Sequence, residues 1–108
     1  MMVDTINKAE ELVEYWEYEI SEAHPYVNME LQVEGPNEVL IDWIKAEPSG
    51  GGYGTNALSH LISLANEYEV TLVLHPDPNN YSKLKEYYID LGFEETEGQS
   101  TLLKKEPE

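Results

Sequence analysis

The length and charge of the chain limit what it can be. With 108 residues it has the size of one domain with one hydrophobic core. It contains no cysteine, which excludes disulfides, thiolate nucleophiles and cysteine-ligated metal sites. Twenty-two acidic residues against six lysines give a formal net charge of −16. Bare nucleic acid is therefore an unfavourable partner, because binding it needs basic side chains. A basic protein, a polyamine or another cationic substrate is expected instead, since the negative field would attract it.

Two alternatives to a cationic partner remain: the acidic residues serve only solubility, or they reflect a saline host. No apolar run approaches the roughly 18 residues of a membrane span. The start of the chain, Met1-Met2-Val3-Asp4, does not resemble a signal peptide. We therefore expect a soluble, cytoplasmic protein that makes no contact with a membrane.

Hydrophobic periodicity predicts the order α-β-β-α-β-α-β-β in one domain over residues 1–108. An amphipathic helix is expected over residues 4–20, capped by Asp4 or Thr5, with residues 1–24 packed on or beside the sheet. The other predicted elements are a hairpin of strands 27–33 and 39–46, a helix over 55–68, a buried strand over 70–74, a helix over 81–91, and a closing hairpin of strands 93–97 and 100–104 around Gly98. The strand–helix–strand passage implies a crossover on one face of a mixed sheet.

A glycine-rich loop separates the second strand from the second helix. Its four glycines are Gly50, Gly51, Gly52 and Gly54, with Tyr53 between the last two. A helix beginning at Thr55 leaves its first N–H groups unpaired at the positive end of the helix dipole, which suits a pyrophosphate. A flexible surface loop is the alternative explanation. The loop matches neither a Walker loop nor the dinucleotide fingerprint.

A second motif ends the third helix: Tyr87-Tyr88-Ile89-Asp90-Leu91-Gly92-Phe93. Gly92 is expected to stop the helix, and Phe93 to fill the core behind it. Packing explains one of the two tyrosines. A tyrosine near the end of a helix and facing a cleft is also a phenol with a pKa near 10, able to protonate a departing thiolate.

Together these motifs resemble the GNAT acetyltransferase superfamily. The resemblance covers about residues 39–104 and depends on the order of the elements, the loop Ser49–Gly54 and the Tyr-x-x-x-Gly-Phe spacing from Tyr88 to Phe93. The short length is similar to abbreviated members from phages and mobile elements. The implied fold is α+β and sandwich-like, with a mixed, mostly antiparallel sheet whose central strands splay apart. Ser49 stands where the family has Arg or Gln, and the chain has no arginine.

The resemblance implies an N-acetyltransferase that moves an acetyl group from acetyl-CoA to a primary amine of a cationic acceptor, expected to be a protein lysine. It implies Tyr88 as the general acid and no metal. The residues it implies for coenzyme binding are Ile44, Lys45, Ala46, Gly50, Gly51, Gly52, Tyr53, Gly54, Thr55 and Asn80, with Asn79 as the alternative to Asn80. The competing interpretation is a catalytically inactive, acidic GNAT-fold binding protein, such as a nucleic-acid mimic or an inhibitor of a basic host protein.

The reaction also needs a base, because a lysine amine has a pKa near 10.4 and must lose its proton before it attacks. Asp42, on the strand beside the expected slot, is the first candidate, with Glu38 or Glu47 behind it. The alternative for each carboxylate is an ordinary solvated side chain.

The histidines and the aromatic residues of the first helix leave further alternatives. His24, His60 and His75 do not have the spacing of metal ligands, and His75 either touches the substrate or has a structural role. The aromatic residues of the first helix are Tyr15, Trp16 and Tyr18. We expect Trp16 to pack on the sheet, whereas the tyrosines either pack or form a homodimer face.

Overall fold

The computed structural model describes residues 7–47, 51–96 and 101–108. Its helices are α1 (Lys8–Tyr15), α2 (Tyr53–Tyr68) and α3 (Tyr81–Asp90), and its strands are β1 (Val27–Gly35), β2 (Glu38–Ala46), β3 (Thr71–Leu74), β4 (Glu94–Glu95) and β5 (Leu103–Lys105). A π-helical turn (Trp16–Ile20) and a 3₁₀ turn (Ser21–Ala23) follow α1, and a second 3₁₀ turn (Pro78–Asn80) precedes α3. The predicted order of elements is confirmed.

The first helix differs from its prediction at both ends. It begins at Lys8, where the Asn7 side chain accepts a hydrogen bond from the Glu10 backbone N–H. The caps expected from the sequence, Asp4 and Thr5, lie outside the described residues. The regular α-helix ends at Tyr15, and the wider π-helical turn begins at Trp16, which is 3% exposed.

The strands form one five-stranded sheet in the order β1-β2-β3-β5-β4. Strands β2 and β3 are parallel, and the other neighbouring pairs are antiparallel. The parallel pair is joined by α2, as expected for a crossover connection. Its register ends at the pair Ile41 and Leu74, whereas β2 continues to Ala46. The two central strands therefore separate beyond Ile41, and the predicted splay is confirmed.

The helices pack on one face of this sheet. Leu12 of α1, Leu61 of α2 and Tyr88 of α3 belong to a single buried cluster that also includes Leu72 of β3. On β1 the even-numbered residues of the stretch 28–34 point to the other face and are exposed. The described residues thus form a two-layer structure whose open sheet face is polar along β1.

The boundaries of α2 and α3 differ from the predicted ones by one or two residues. Helix α2 begins at Tyr53, so Tyr53 and Gly54 lie inside its first turn and not in the loop before it. Helix α3 ends at Asp90, and Gly92 has a φ of +108°, in agreement with its predicted role as a helix stop. Gly98, at the predicted closing turn, lies outside the described residues. No helix within the described ranges is long and apolar enough to cross a membrane.

Candidate active site

A β-bulge marks the point where the central strands separate. Glu30 of β1 pairs with Trp43, whereas the next residue, Leu31, pairs with Ile41. Asp42 is therefore an extra residue on β2, and such an insertion bends a strand and increases its twist. The bulge directly follows Ile41, which forms the last pair with β3. The backbone geometry thus places Asp42 where β2 turns away from β3.

A cavity of about 390 Å³ lies at this separation. It is lined by Ile41, Asp42, Trp43, Ile44, Leu74, His75, Pro76, Asp77, Leu84 and Tyr88. Aliphatic side chains contribute from β2, β3 and α3, and two carboxylates contribute the negative charge. None of these lining residues is a lysine, so the cavity favours a cationic or hydrogen-bond-donating group.

Tyr88 contributes a phenol to the wall of this cavity. Its side chain is 9% exposed and makes edge-to-face contacts with Tyr87 and Phe93, with ring centroids 5.1 and 5.8 Å apart. Burial, with a smaller effect from Tyr87, raises the pKa of Tyr88 above its ordinary value of 10.0. The phenol therefore keeps its proton at neutral pH and can act as a donor.

The start of α2 lies over the end of β2. The ideal Cβ position of Gly54 is 3.6 Å from the Ala46 Cβ, so the first turn of the helix approaches the last residue of the strand. The Thr55 hydroxyl shares a 2.6 Å hydrogen bond with the Tyr87 hydroxyl, which ties this turn to α3. The start of α2 is therefore held next to the helix that carries Tyr88.

Two glycines shape the chain before α2. Gly52, at the N-cap position, has a φ of +81°, a conformation that favours glycine. A Cβ on Gly51 would lie 2.7 Å from the ring of Tyr53. Gly52 provides no side-chain cap, and an N-cap of this kind, as far as the described residues show, suits the binding of an anion by the first N–H groups of α2.

The structure brings together some of the residues predicted for the site and leaves others apart. Ile44 lines the cavity with Asp42 and Tyr88, whereas Lys45 is exposed and forms an ion pair with Glu47 at 2.9 Å. Asn80 lies at the start of α3, outside the lining of the cavity. Gly50 lies outside the described residues.

The alternative bases lie away from the cavity. Glu38 begins β2 and pairs with Thr71, at the end of the strand opposite to the separation. Glu47 follows β2 and pairs with Lys45, as noted above. Among the three carboxylates considered from the sequence, Asp42 is the one that lines the cavity. Its Oδ2 accepts a 3.2 Å hydrogen bond from the Gln32 side chain.

Sequence reasoning missed two lining residues whose side chains form hydrogen bonds, Asp77 and Trp43. Asp77 follows β3, and its carboxylate accepts a 3.0 Å hydrogen bond from the Asn79 backbone N–H. Because β2 and β3 are parallel, the segments after them meet at the same edge of the sheet, and this rule would have indicated Asp77. Trp43 is 46% exposed and donates a 2.8 Å hydrogen bond to Glu30. Its position depends on the bulge, for which the sequence carries no clear signal.

The histidines occupy two separate places. His75 lines the cavity, and its Nδ1 lies 3.3 Å from the Thr101 hydroxyl oxygen. His24 and His60 contact each other instead, with 3.0 Å between Nε2 and Nδ1. Within the part of the chain that the structure describes, no group of three or more His, Asp or Glu side chains could hold a metal ion.

Comparison with known proteins supports the fold alone. No family model matches the chain, and no curated protein matches it. Among solved structures, the chain is similar to a mutant of the AtaT toxin bound to the C-terminus of the antitoxin AtaR and to acetyl-CoA. The TM-score is 0.50 at 12% identity, over 88% of this chain and 78% of that chain. This likeness supports the expected GNAT-like α+β fold.

Proposed function

We propose that this chain is an acyl-CoA-dependent N-acetyltransferase. The observation that carries the proposal is the cavity between β2 and β3, with the buried phenol of Tyr88 in its wall and Asp42 at the bulge beside it. A slot between separated strands can hold an extended thioester, because the backbone groups of β2 beyond Ile41 are not used by β3. The structurally similar toxin was solved with acetyl-CoA, which agrees with this use of the fold.

The chain offers contacts for each part of the coenzyme. The backbone of Ile44, Lys45 and Ala46 would pair with the pantetheine arm. The amides of the segment 50–55 would hold the pyrophosphate, since the start of α2 presents N–H groups to an anion. Asn80 would contact the coenzyme from the start of α3.

Two side chains would move protons. Asp42 accepts a proton from the incoming ammonium, directly or through a water, so that the amine nitrogen can bond to the thioester carbonyl carbon. As the carbon–sulfur bond breaks, Tyr88 donates its hydroxyl proton to the departing thiolate. The nitrogen of the new amide loses its second proton to the Tyr88 oxygen, which restores the phenol, and solvent removes the proton from Asp42.

The charge distribution favours a cationic acceptor, and we propose the lysine of a basic protein. Five lysines form ion pairs with glutamates: Lys8–Glu69, Lys45–Glu47, Lys85–Glu95, Lys104–Glu106 and Lys105–Glu108. These pairs neutralise much of the positive charge locally, while the net charge stays at −16. The resulting field attracts a cation and raises its local concentration near the cavity.

Calorimetric titration with acetyl-CoA, and with free CoA for comparison, tests the proposal. We expect saturable binding at one site. Gly52→Ala should weaken it at least several-fold, because alanine is strained at a φ of +81° and would distort the cradle. Gly35→Ala is the matched control, since a Cβ there meets only the Glu38 Cβ at an ordinary 3.9 Å. Absence of binding by the unaltered protein at millimolar acetyl-CoA would contradict the proposal.

The second candidate is an acidic binding protein that keeps the fold without the chemistry. It is favoured by the net charge of −16 and by Ser49, which stands where the family has Arg or Gln. Such a protein would occupy the basic groove of a partner in place of nucleic acid. Its binding would collapse as salt is added, because charges are screened over roughly 10 Å at 0.1 M. Coenzyme held by backbone amides would respond less.

A further inference from the structure

A second cavity, of about 280 Å³, adjoins the first turn of α2. Its walls come from Tyr53 and Asn56 of that turn and from the segment before β1, including His24, Tyr26 and Val27. It shares no lining residue with the cavity between β2 and β3. The first turn of α2, which Thr55 links to α3, therefore also forms one wall of a separate cavity.

Two tyrosines give this second cavity an aromatic wall. The rings of Tyr26 and Tyr53 lie 4.8 Å apart between centroids, with their planes tilted by 46°. Tyr26 is 52% exposed, so much of its ring remains open to another planar group. Every nucleobase has a π face that stacks on such a ring, whatever its pattern of donors and acceptors.

The polar groups of the cavity suit an uncharged ligand. The exposed Asn56 offers an amide donor and an acceptor, a combination that pairs with the N6 and N7 edge of adenine. The His24 ring is fixed by its contact with His60 and by stacking on Trp16, with centroids 5.7 Å apart. Burial, followed by the effect of His60, lowers the pKa of His24 and keeps the imidazole neutral at neutral pH. The lining residues include no lysine that would hold a phosphate.

The position of the cavity links it to the anion cradle. Tyr53 is the first residue of α2 and directly follows Gly52, the N-cap of the same helix. The ring of Tyr53 lies over Gly51, so one side chain borders both the cradle and the second cavity. A ligand with its phosphates at the helix start could therefore extend a neighbouring planar group into this cavity.

We propose that the second cavity binds the adenine base of the coenzyme, stacked on Tyr26 and Tyr53 and hydrogen-bonded by Asn56. The inference rests on the proposed function and deepens it by assigning a subsite for the nucleotide end. The two ends of the coenzyme would then lie at different places on the protein. The reacting thioester lies between β2 and β3, and the base lies on the side of α2 that faces the segment before β1.

Paired calorimetric titrations with acetyl-CoA and with S-acetylpantetheine 4′-phosphate, which lacks the nucleotide, test this assignment. Tyr26→Ala should weaken acetyl-CoA binding roughly tenfold or more, in line with the contribution of base–aromatic stacking. It should leave the affinity for the shorter thioester unchanged. Asn56→Ala should act in the same direction, and Tyr26→Phe should keep the affinity of the unaltered protein because it retains the ring.

The controls separate this inference from the proposed function. Tyr18→Ala removes a tyrosine that is 76% exposed and lies outside both cavities, so it should change neither titration. If Tyr26→Ala weakens both ligands equally, or neither, the adenine subsite is wrong while the acetyltransferase proposal stands. If the unaltered protein binds neither ligand, both proposals are wrong. Thermal unfolding of each variant verifies that it is folded.

Discussion

Tyr88 occupies a position in which its environment and its proposed chemistry agree. Its ring is packed between Tyr87 and Phe93, and its backbone carbonyl accepts hydrogen bonds from Leu91 and Phe93 at the end of α3. The ring contacts therefore hold the Tyr88 side chain between two aromatic neighbours at the point where the helix ends. The same packing raises the pKa of the phenol, and a protonated phenol is what the proposed transfer to a thiolate requires.

We expect Tyr88→Phe to lower the turnover of acetyl-CoA roughly 10²–10⁴-fold, because general-acid catalysis contributes about that much. Coenzyme affinity should change little, since the ring and its packing are retained. Steady-state kinetics with a basic protein acceptor, beside calorimetry, measures both quantities. Tyr18→Phe is the control. Undiminished turnover in Tyr88→Phe would remove Tyr88 from the mechanism, and unchanged binding to a basic partner without any turnover would favour the non-catalytic candidate.

Among the elements, the end of the first helical segment is joined to α2 through an aromatic cluster. Trp16, in the π-helical turn, stacks on His24 and meets the edge of His60, with ring centroids 5.7 and 5.9 Å apart. The two imidazoles lie 3.0 Å apart at their nearest nitrogens. At that distance they can share one proton in a hydrogen bond, whereas two imidazolium ions would repel each other.

This cluster predicts a loss of stability in acid. Burial, then His60, lowers the pKa of His24 below its ordinary value of 6.5. Below pH 6.5 the unfolded chain therefore binds more protons than the folded one, and the stabilisation present above that pH is lost as the pH falls through the folded pKa.

We expect the free energy of unfolding to fall from pH 7.5 to pH 5.5 by more in the unaltered protein than in His24→Asn. Urea unfolding of both proteins at the two pH values measures this difference. The carboxylates titrate in both proteins, so their contribution to the free energy of unfolding drops out of the comparison. His75→Asn is the matched control, since His75 is exposed and lies away from the cluster. Equal losses in the unaltered protein and in His24→Asn would contradict the prediction.

For the molecule as a whole, charge repulsion opposes folding. The ion pairs seen here are mostly exposed, as in Lys45–Glu47, where both side chains are at least 65% exposed, and such pairs contribute little. Folding therefore brings the carboxylates that give the net charge of −16 closer together, and the ion pairs offset little of their repulsion.

We accordingly expect added salt to stabilise the folded state. Raising NaCl from about 0.01 M to 0.5 M shortens the screening length from roughly 30 Å to a few ångströms, which weakens repulsion among distant carboxylates. Urea unfolding is the suitable measurement, because urea is uncharged. Sucrose matched in osmolality controls for effects that do not depend on charge. A free energy of unfolding that falls with salt would show that the exposed ion pairs outweigh the repulsion.

Much of this architecture could be predicted from the sequence, because it follows from local patterns. Periodicities of two and 3.6 residues predicted the order of the elements, and Gly92 predicted the end of α3. The burial of Trp16 also followed from its place on an apolar helix face. These features depend on residues near one another in the chain.

The details of the candidate site depended instead on distant contacts. The bulge at Asp42 exists only in the register of β2 against β1, and nothing in the residues around it distinguishes a bulge from a regular strand. The π-helical turn at Trp16 accompanies contacts with His24 and His60, which come later in the chain. Asp77 reaches the cavity because β3 is parallel to β2.

The parallel pairing of β2 with β3 also bears on how the molecule folds. Strands β1 and β2 are joined by a tight turn, so their hairpin requires only a short loop to close. The pairing of β2 with β3 requires the whole of α2 to cross between them, and contacts so far apart in sequence form slowly. Asp42 belongs to the hairpin, whereas Tyr88 follows β3 in the chain, so the two side chains come together only when β2 and β3 have paired. A chain with only its hairpin formed holds four of the ten residues that line the cavity.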